Sequence, residues 1–276
     1  MSQPLRQLAA VIRLELKKTF FARRGWWVYL LALAPVGMTL VHTLVLSRLQ
    51  SIGRPGHSLA GDTQGFAIMF QVYFLRLAIF FGCVGIFSNL FRGEMLEKTL
   101  HYYFLTPMRR ELLVIGKYFS GLIVTLVLFL ISVTASFYLL GRHQGAAWSD
   151  FLMHGPGLAQ MGSYALVTAL GCVGYGAIFL AAGLFIRNPM IPAAAVWVWE
   201  NLNPFLPAFL KKISVIFYLK SLSPLSVPDS GPFSVLVTDT DPTPAWLAVP
   251  GLLVVALAVL TYAAISARRA EISYGE

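Results

Sequence analysis

Charge is what this sequence has least of. Only 12% of its 276 residues are Asp, Glu, Lys or Arg, whereas 57% are apolar; soluble domains usually carry ~25% charged residues. So few charged groups cannot cover a soluble protein of this size, which excludes a soluble enzyme. The apolar excess excludes a disordered chain as well. Cysteine is nearly absent: Cys83 and Cys172 are the only two, and both lie inside apolar runs. That excludes a disulfide-stapled module and a thiolate metal centre, and both thiols read as small buried side chains. Acidic residues are also scarce, 12 against 21 Lys and Arg, for a net charge of +9. In so apolar a chain this balance reads as the cytoplasmic excess of cations typical of membrane proteins rather than as a nucleic-acid footprint.

Catalytic signatures are missing too. There is no HExxH, no pair of histidines at i, i+4 and no EExxxR, and the five histidines, His42, His57, His101, His143 and His154, are scattered. Gly162-Ser163 lacks the surroundings of a nucleophile elbow. No GxxxxGK[ST] occurs, so the chain has no phosphate loop of its own and is expected not to be an enzyme.

What is present is length of apolar run. Stretches of twenty or more residues suffice to cross ~30 Å of hydrocarbon. Six spans are expected, at about 27–46, 66–91, 114–140, 158–186, 191–218 and 245–267. The first follows twenty-odd polar and basic residues and no small-x-small site succeeds it, so it reads as a retained span, not a signal peptide. The fifth is the least regular: Asn203-Pro204 and Pro207 interrupt it and Lys211-Lys212 follow, predicting an end or kink near Pro204. The fold class is thus an all-α polytopic membrane protein, a single domain over 1–276.

Three connecting regions carry further information. Before the first span, Leu5, Leu8, Ala9, Ile12, Leu16 and Phe20 recur at helical spacing beside a stripe of Arg6, Arg13, Lys17 and Arg24. Residues 1–26 therefore read as an amphipathic helix lying in the headgroup plane, with Trp26, Trp27 and Tyr29 at the interface. The 220–245 loop is rich in Pro, Ser and Asp and reads as extracytoplasmic. With the N-terminus cytoplasmic, fourteen of the Lys and Arg fall inside and six outside, with Arg76 within a span. The positive-inside rule then sets both termini in the cytoplasm of a multi-pass chain in the cell's inner (plasma) membrane.

The loop between the second and third spans, 92–117, is the most polar stretch between spans. Glu94 to Phe104 has helix-forming composition. Thr106-Pro107 ends that piece, and Met108 onward restarts a helix that feeds the third span. Gly-Glu, Glu-Lys-Thr-Leu, Leu-Thr-Pro, Arg, Glu-Leu-Leu and Gly-Lys follow one another here. With six spans and the interfacial helix, this layout resembles a type-2 ATP-binding cassette (ABC) transporter permease. The motif-level likeness is confined to about 93–117, and the layout extends over the whole chain. The resemblance implies that the loop is a coupling helix seated on a cytoplasmic ATPase subunit, with Glu94, Glu97, Lys98, Thr106, Pro107, Arg109 and Arg110 as coupling residues. The Arg187-Asn188-Pro189 turn would be a smaller contact. It also implies two permease subunits, identical or not, and ATP with Mg on the partner ATPase rather than a cofactor in this chain. No stretch fits the importers' EAA-type loop, so export is expected. An ion-gradient-driven carrier and a non-transport scaffold are the alternatives.

Within the spans, Arg76 and Glu200 each lie ~15 Å from their own membrane face at 1.5 Å per residue, near the midplane. A lone charge there costs about 2.5–3.5 kcal/mol or more, so the two are expected to face one interior surface and pair or line water. Gln71 and Asn201 join them as a candidate substrate pathway, and Asn89 and Gln160 are further polar candidates. Phe70, Tyr73, Phe74, Phe80 and Phe81 stud the second span and are expected mainly toward lipid. Gly171, Gly174, Gly176 and Gly183 predict close helix packing in the fourth.

Overall fold

The structure is a computed structural model that describes residues 3–21, 25–52, 58–96, 109–186, 188–225, 227 and 243–269. Every regular element among these residues is helical. α1 (Gln3–Phe21) precedes α2 (Trp26–Ser51). The next span is one continuous rod in three parts: α3 (Leu59–Met69), a π-helix (Phe70–Ile79) and α4 (Phe80–Leu96). α5 (Arg110–Leu140), α6 (Ala146–Met153), α7 (Gly157–Phe185), α8 (Met190–Leu202), α9 (Ala208–Lys211), α10 (Val215–Ser221) and α11 (Ala245–Arg269) complete the chain.

Five of these rods are long and apolar enough to cross a membrane: Trp26–Ser51, Leu59–Met95, Arg110–Gln144, Gly157–Phe185 and Ala245–Ala267. The expected fifth span, 191–218, is not one helix. α8 stops at Leu202, a 3₁₀ turn covers Asn203–Phe205, and α9 and α10 follow as short pieces. Proline explains the break, since Pro204 and Pro207 have no N–H to continue a ladder. The interruption predicted near Pro204 is there, and the segment drawn as one span is several short helices.

α7 is the most enclosed of the five long helices. It packs against α4, α5 and α11. Small residues allow this approach: a Cβ on Gly183 would lie 2.7 Å from the Ser88 carbonyl oxygen, and one on Gly176 would lie 2.6 Å from the Phe87 ring. The glycines of this helix therefore serve packing, as expected. The aromatic residues of the second span do not follow expectation. Phe70, Phe74 and Phe80 are fully buried. Phe66, Phe70 and Phe74 stack into a cluster with Phe137 of α5 and Tyr164 of α7. Helical spacing put them on one face, but hydropathy could not say whether that face met lipid or protein.

α1 lies along the start of α5, on the end of the bundle where α4 finishes and α5 begins. Val11 is buried there, and Gly116 of α5 admits it: a Cβ on Gly116 would lie 2.7 Å from a Val11 methyl. Of the apolar stripe read from the sequence, Leu5 and Ala9 stay exposed while Leu8, Ile12 and Leu16 are half-buried. The face packed on α5 borders that stripe and includes a carboxylate, Glu15.

Candidate functional site

Among the described residues, buried ionisable and amide side chains gather in three places. The first is the end of the bundle that carries α1. Lys117, about two turns into α5, is completely buried and points at the last turns of α4. Its ammonium donates to Glu15 Oε1 at 2.8 Å and to the Leu90 carbonyl at 2.8 Å, and it forms an ion pair with Glu94 Oε2 at 2.9 Å. The Phe91 ring lies 5.3 Å from the same nitrogen. Lys18, 47% exposed, closes the group by pairing with Glu94 Oε1 at 3.1 Å. Two ammonium groups thus face two carboxylates, and the quartet is formally neutral. Burial pushes the Glu15 carboxyl above its ordinary range; Lys117 pulls the other way, and the neighbouring Glu94 charge adds to the rise.

This cluster joins three elements at one point. Glu94 and Lys117 stand at the two roots of the 97–108 segment, and Glu15 and Lys18 tie both roots to α1. The chain geometry supports it: Arg109 is extended and exposed, α5 begins at Arg110, and Glu111 puts a carboxylate in the first turn, where the helix dipole favours it. Of the seven residues expected to couple to an ATPase, Glu94 is in the cluster, Arg109 is exposed beside it and Arg110 is half-buried. Glu97, Lys98, Thr106 and Pro107 lie outside the described residues. So do Arg187 of the second expected contact and the middle of the 220–245 loop.

The second place is the middle of the long second rod. Ten residues there are wound as a π-helix, an unusual run that in proteins accompanies functional positions. Arg76 falls in it and donates to Asn201 Oδ1 at 3.3 Å. Glu200 does something else. Its carboxylate accepts from the Ser214 hydroxyl, the Val215 N–H at 3.1 Å and the Ile216 N–H at 3.0 Å. Residues fourteen and more positions downstream thus receive their helix cap from Glu200, which satisfies the first N–H groups of α10 and sits where a helix N-terminus favours an anion. Among the described residues no ion pair joins Arg76 to Glu200. Of the four expected pathway residues, three meet here; Gln71 donates to the Leu225 carbonyl at 3.4 Å, one turn away on the π-helix. The partner expected for Arg76 is one residue off.

The third place is the opposite end of the bundle. Asp62, capped into α3 by Ser58, is buried with His143 and Gln144. Gln144 donates to Asp62 Oδ2 at 2.7 Å and His143 Nε2 lies 3.2 Å from the same oxygen, while His143 Nδ1 lies 3.1 Å from the Leu140 carbonyl. The His143 ring thus lies between the Asp62 carboxylate and the Leu140 carbonyl. His42 of α2 stands edge-on to it. Replacing His143 with alanine is expected to lower stability by about 2 kcal/mol, because Asp62 keeps its Gln144 donor. Asp62→Asn with His143→Ala should cost less than the two singles added, as read by thermal unfolding in detergent.

Sequence reading missed Glu15, Asp62 and His143 and read Lys117 as a cytoplasmic cation at the end of the 93–117 motif, not as a buried one. A spacing signal for the first existed: Leu8, Val11 and Glu15 share one helix face, and a carboxylate in an otherwise apolar packing face demands a cation. Among the described residues no group of three or more His, Cys, Asp or Glu is placed to hold a metal. No family model matches the chain, and no curated protein matches it.

Proposed function

We propose that this chain is the membrane subunit of an ATP-driven exporter of the type-2 ABC class, working as a dimer of permease subunits on a pair of cytoplasmic ATPase subunits. In this reading α8, the turn after it, α9 and α10 together form a sixth, broken crossing, and α1 lies on the cytoplasmic face of the plasma membrane. The observation that carries the reading is the buried quartet at the roots of the 97–108 segment. A load applied to that segment by a closing ATPase reaches α4 through Glu94, α5 through Lys117 and α1 through Glu15 and Lys18, so three elements move together. Cargo moves uphill only if the two resulting states bind it differently. The Arg76, Asn201 and Glu200 cluster, polar groups set among long apolar helices, lies where such a difference can be made.

Affinity purification of the intact chain from its native membrane tests this. A stoichiometric ATPase bearing a phosphate loop is expected to accompany it. Arg109→Glu together with Pro107→Ala should leave the chain in the membrane yet lower the ATP turnover of the reconstituted assembly about tenfold, the equivalent of ~1.4 kcal/mol of coupling. Recovery without any ATPase, with transport by the chain alone in liposomes under an ion gradient, would replace the pump by a secondary carrier. The helix break after Leu202 is the feature such a carrier would use.

A further inference from the structure

Arg76 stands midway along the 37-residue stretch Leu59–Met95, ~25 Å along the axis from either end at 1.5 Å per residue. Half the hydrocarbon thickness is only ~15 Å, so a rod that spans the bilayer holds this guanidinium near the centre, out of reach of the headgroups. A cation at that depth faces protein or water rather than lipid. Arg76 is nonetheless only half-buried, and its one hydrogen bond among the described residues runs to Asn201 Oδ1 at 3.3 Å. None of its other nitrogens is enclosed without a partner, so they open onto the outside of the chain. The Glu200 carboxylate does not take them. It is engaged by the Ser214 hydroxyl and by the N–H groups of Val215 and Ile216.

The chemistry of the group narrows the class. A guanidinium carries five N–H donors in a planar fork and no acceptor. With one nitrogen held by an amide oxygen, the open side of the fork matches the paired oxygens of a carboxylate or a phosphate. Asn201 holds the guanidinium in place: its Oδ1 accepts from Arg76, and its Nδ2 donates to the Trp197 carbonyl at 2.7 Å. Trp197 and Val198 precede Asn201 by four and three residues and so share its face of α8. They are 39% and 49% exposed, which sets apolar surface beside the cation. We propose that Arg76 binds the head of an anionic amphiphile, a carboxylate or phosphate on an apolar chain that lies along Trp197 and Val198. Asn201 is a positioning residue. The proposal rests on the reading of this cluster as the place where cargo is held, and it names the class of that cargo.

The full-length chain in phosphatidylcholine nanodiscs, without any ATPase, supplies the test, so its outcome is separate from whether an ATPase accompanies the chain. Four probes are titrated: dodecyl phosphate, dodecyltrimethylammonium, dodecanol and inorganic phosphate. Native mass spectrometry counts the molecules retained, and thermal unfolding reads the stabilisation. The expected result is one dodecyl phosphate per chain with a saturable rise in Tm, and no such rise with the other three. Arg76→Gln should weaken this binding about tenfold or more, the loss of a charge-assisted contact. Arg76→Lys, which keeps the charge but not the fork, should fall between the two. Arg142→Gln removes an exposed guanidinium that lies over the Tyr138 ring, and it should bind the probe as the unsubstituted chain does. Four results would each overturn the proposal. One is an unsubstituted chain that retains no dodecyl phosphate, its guanidinium then being covered by a second copy. The others are equal retention of the cationic or neutral probe, equal stabilisation by inorganic phosphate, and an Arg76→Gln chain that binds as before.

Discussion

Replacement of Lys117 by methionine is expected to destabilise the protein by about 3–5 kcal/mol, the cost of leaving buried carboxylates without their cation. Methionine fills nearly the same volume, so packing is not the cause. Glu15 and Glu94, each within 3 Å of that ammonium, would lose the cation they share. Removing one carboxylate as well should repair much of the damage: Glu15→Gln with Lys117→Met leaves the Lys18–Glu94 pair and is expected to be more stable than Lys117→Met alone. The pH dependence has a definite sign. Glu15 titrates above its ordinary value near 4.5 in the folded chain. Its contribution to stability is therefore full below that ordinary value and declines as pH rises through the raised one, because the folded state then holds the proton that the unfolded state has lost. Without Lys117 the rise is larger, so the deficit of Lys117→Met should shrink in acid and widen from about pH 4.5 upward. Unfolding followed in detergent at several pH values checks both claims. A loss under about 1 kcal/mol, flat with pH, would mean that the quartet is solvated and carries no load.

The second large effect is expected at Glu200. Alanine there removes the acceptor of two backbone N–H groups and one hydroxyl at the start of α10. Each buried donor left unsatisfied costs about 1–3 kcal/mol, so a total near 4 kcal/mol is expected once partial rehydration is allowed for. Glutamine keeps one acceptor oxygen and should lose roughly half of that. Arg76→Gln, by contrast, breaks a single contact to Asn201 and should cost less than either. Amide hydrogen exchange localises the result: protection at Val215 and Ile216 should fall in Glu200→Ala and persist in Arg76→Gln. If both variants behave alike, the carboxylate acts through Arg76 after all, and its role as a helix cap is wrong.

Apolar run length made five of the long helices legible, because a crossing of hydrocarbon needs length above all and length is written in the sequence. Pro204 and Pro207 announced the break in the remaining segment, since a missing N–H is a local fact. What the sequence did not carry were relations between distant residues. Depth arithmetic placed Arg76 and Glu200 at one level, yet the carboxylate is taken by Ser214, Val215 and Ile216, and the guanidinium by Asn201. Counting cations by side put Lys117 in the cytoplasm, and only packing against α1 and α4 reveals that it is enclosed. The π-helix was out of reach for a different reason: its composition is that of any apolar helix, and the changed hydrogen-bond register leaves no mark in hydropathy.

The long second rod is tied at both tips, Asp62 to Gln144 and His143 and Glu94 to Lys117, while its centre is wound as a π-helix. A rope tied at each end gives way along its slackest length. Any rewinding of Phe70–Ile79 into tighter turns must therefore be absorbed between the two moorings, and it turns Arg76 about the axis, toward or away from Asn201. A pull on either tip would then be expected to show at the midpoint of this helix, as a changed Arg76–Asn201 contact.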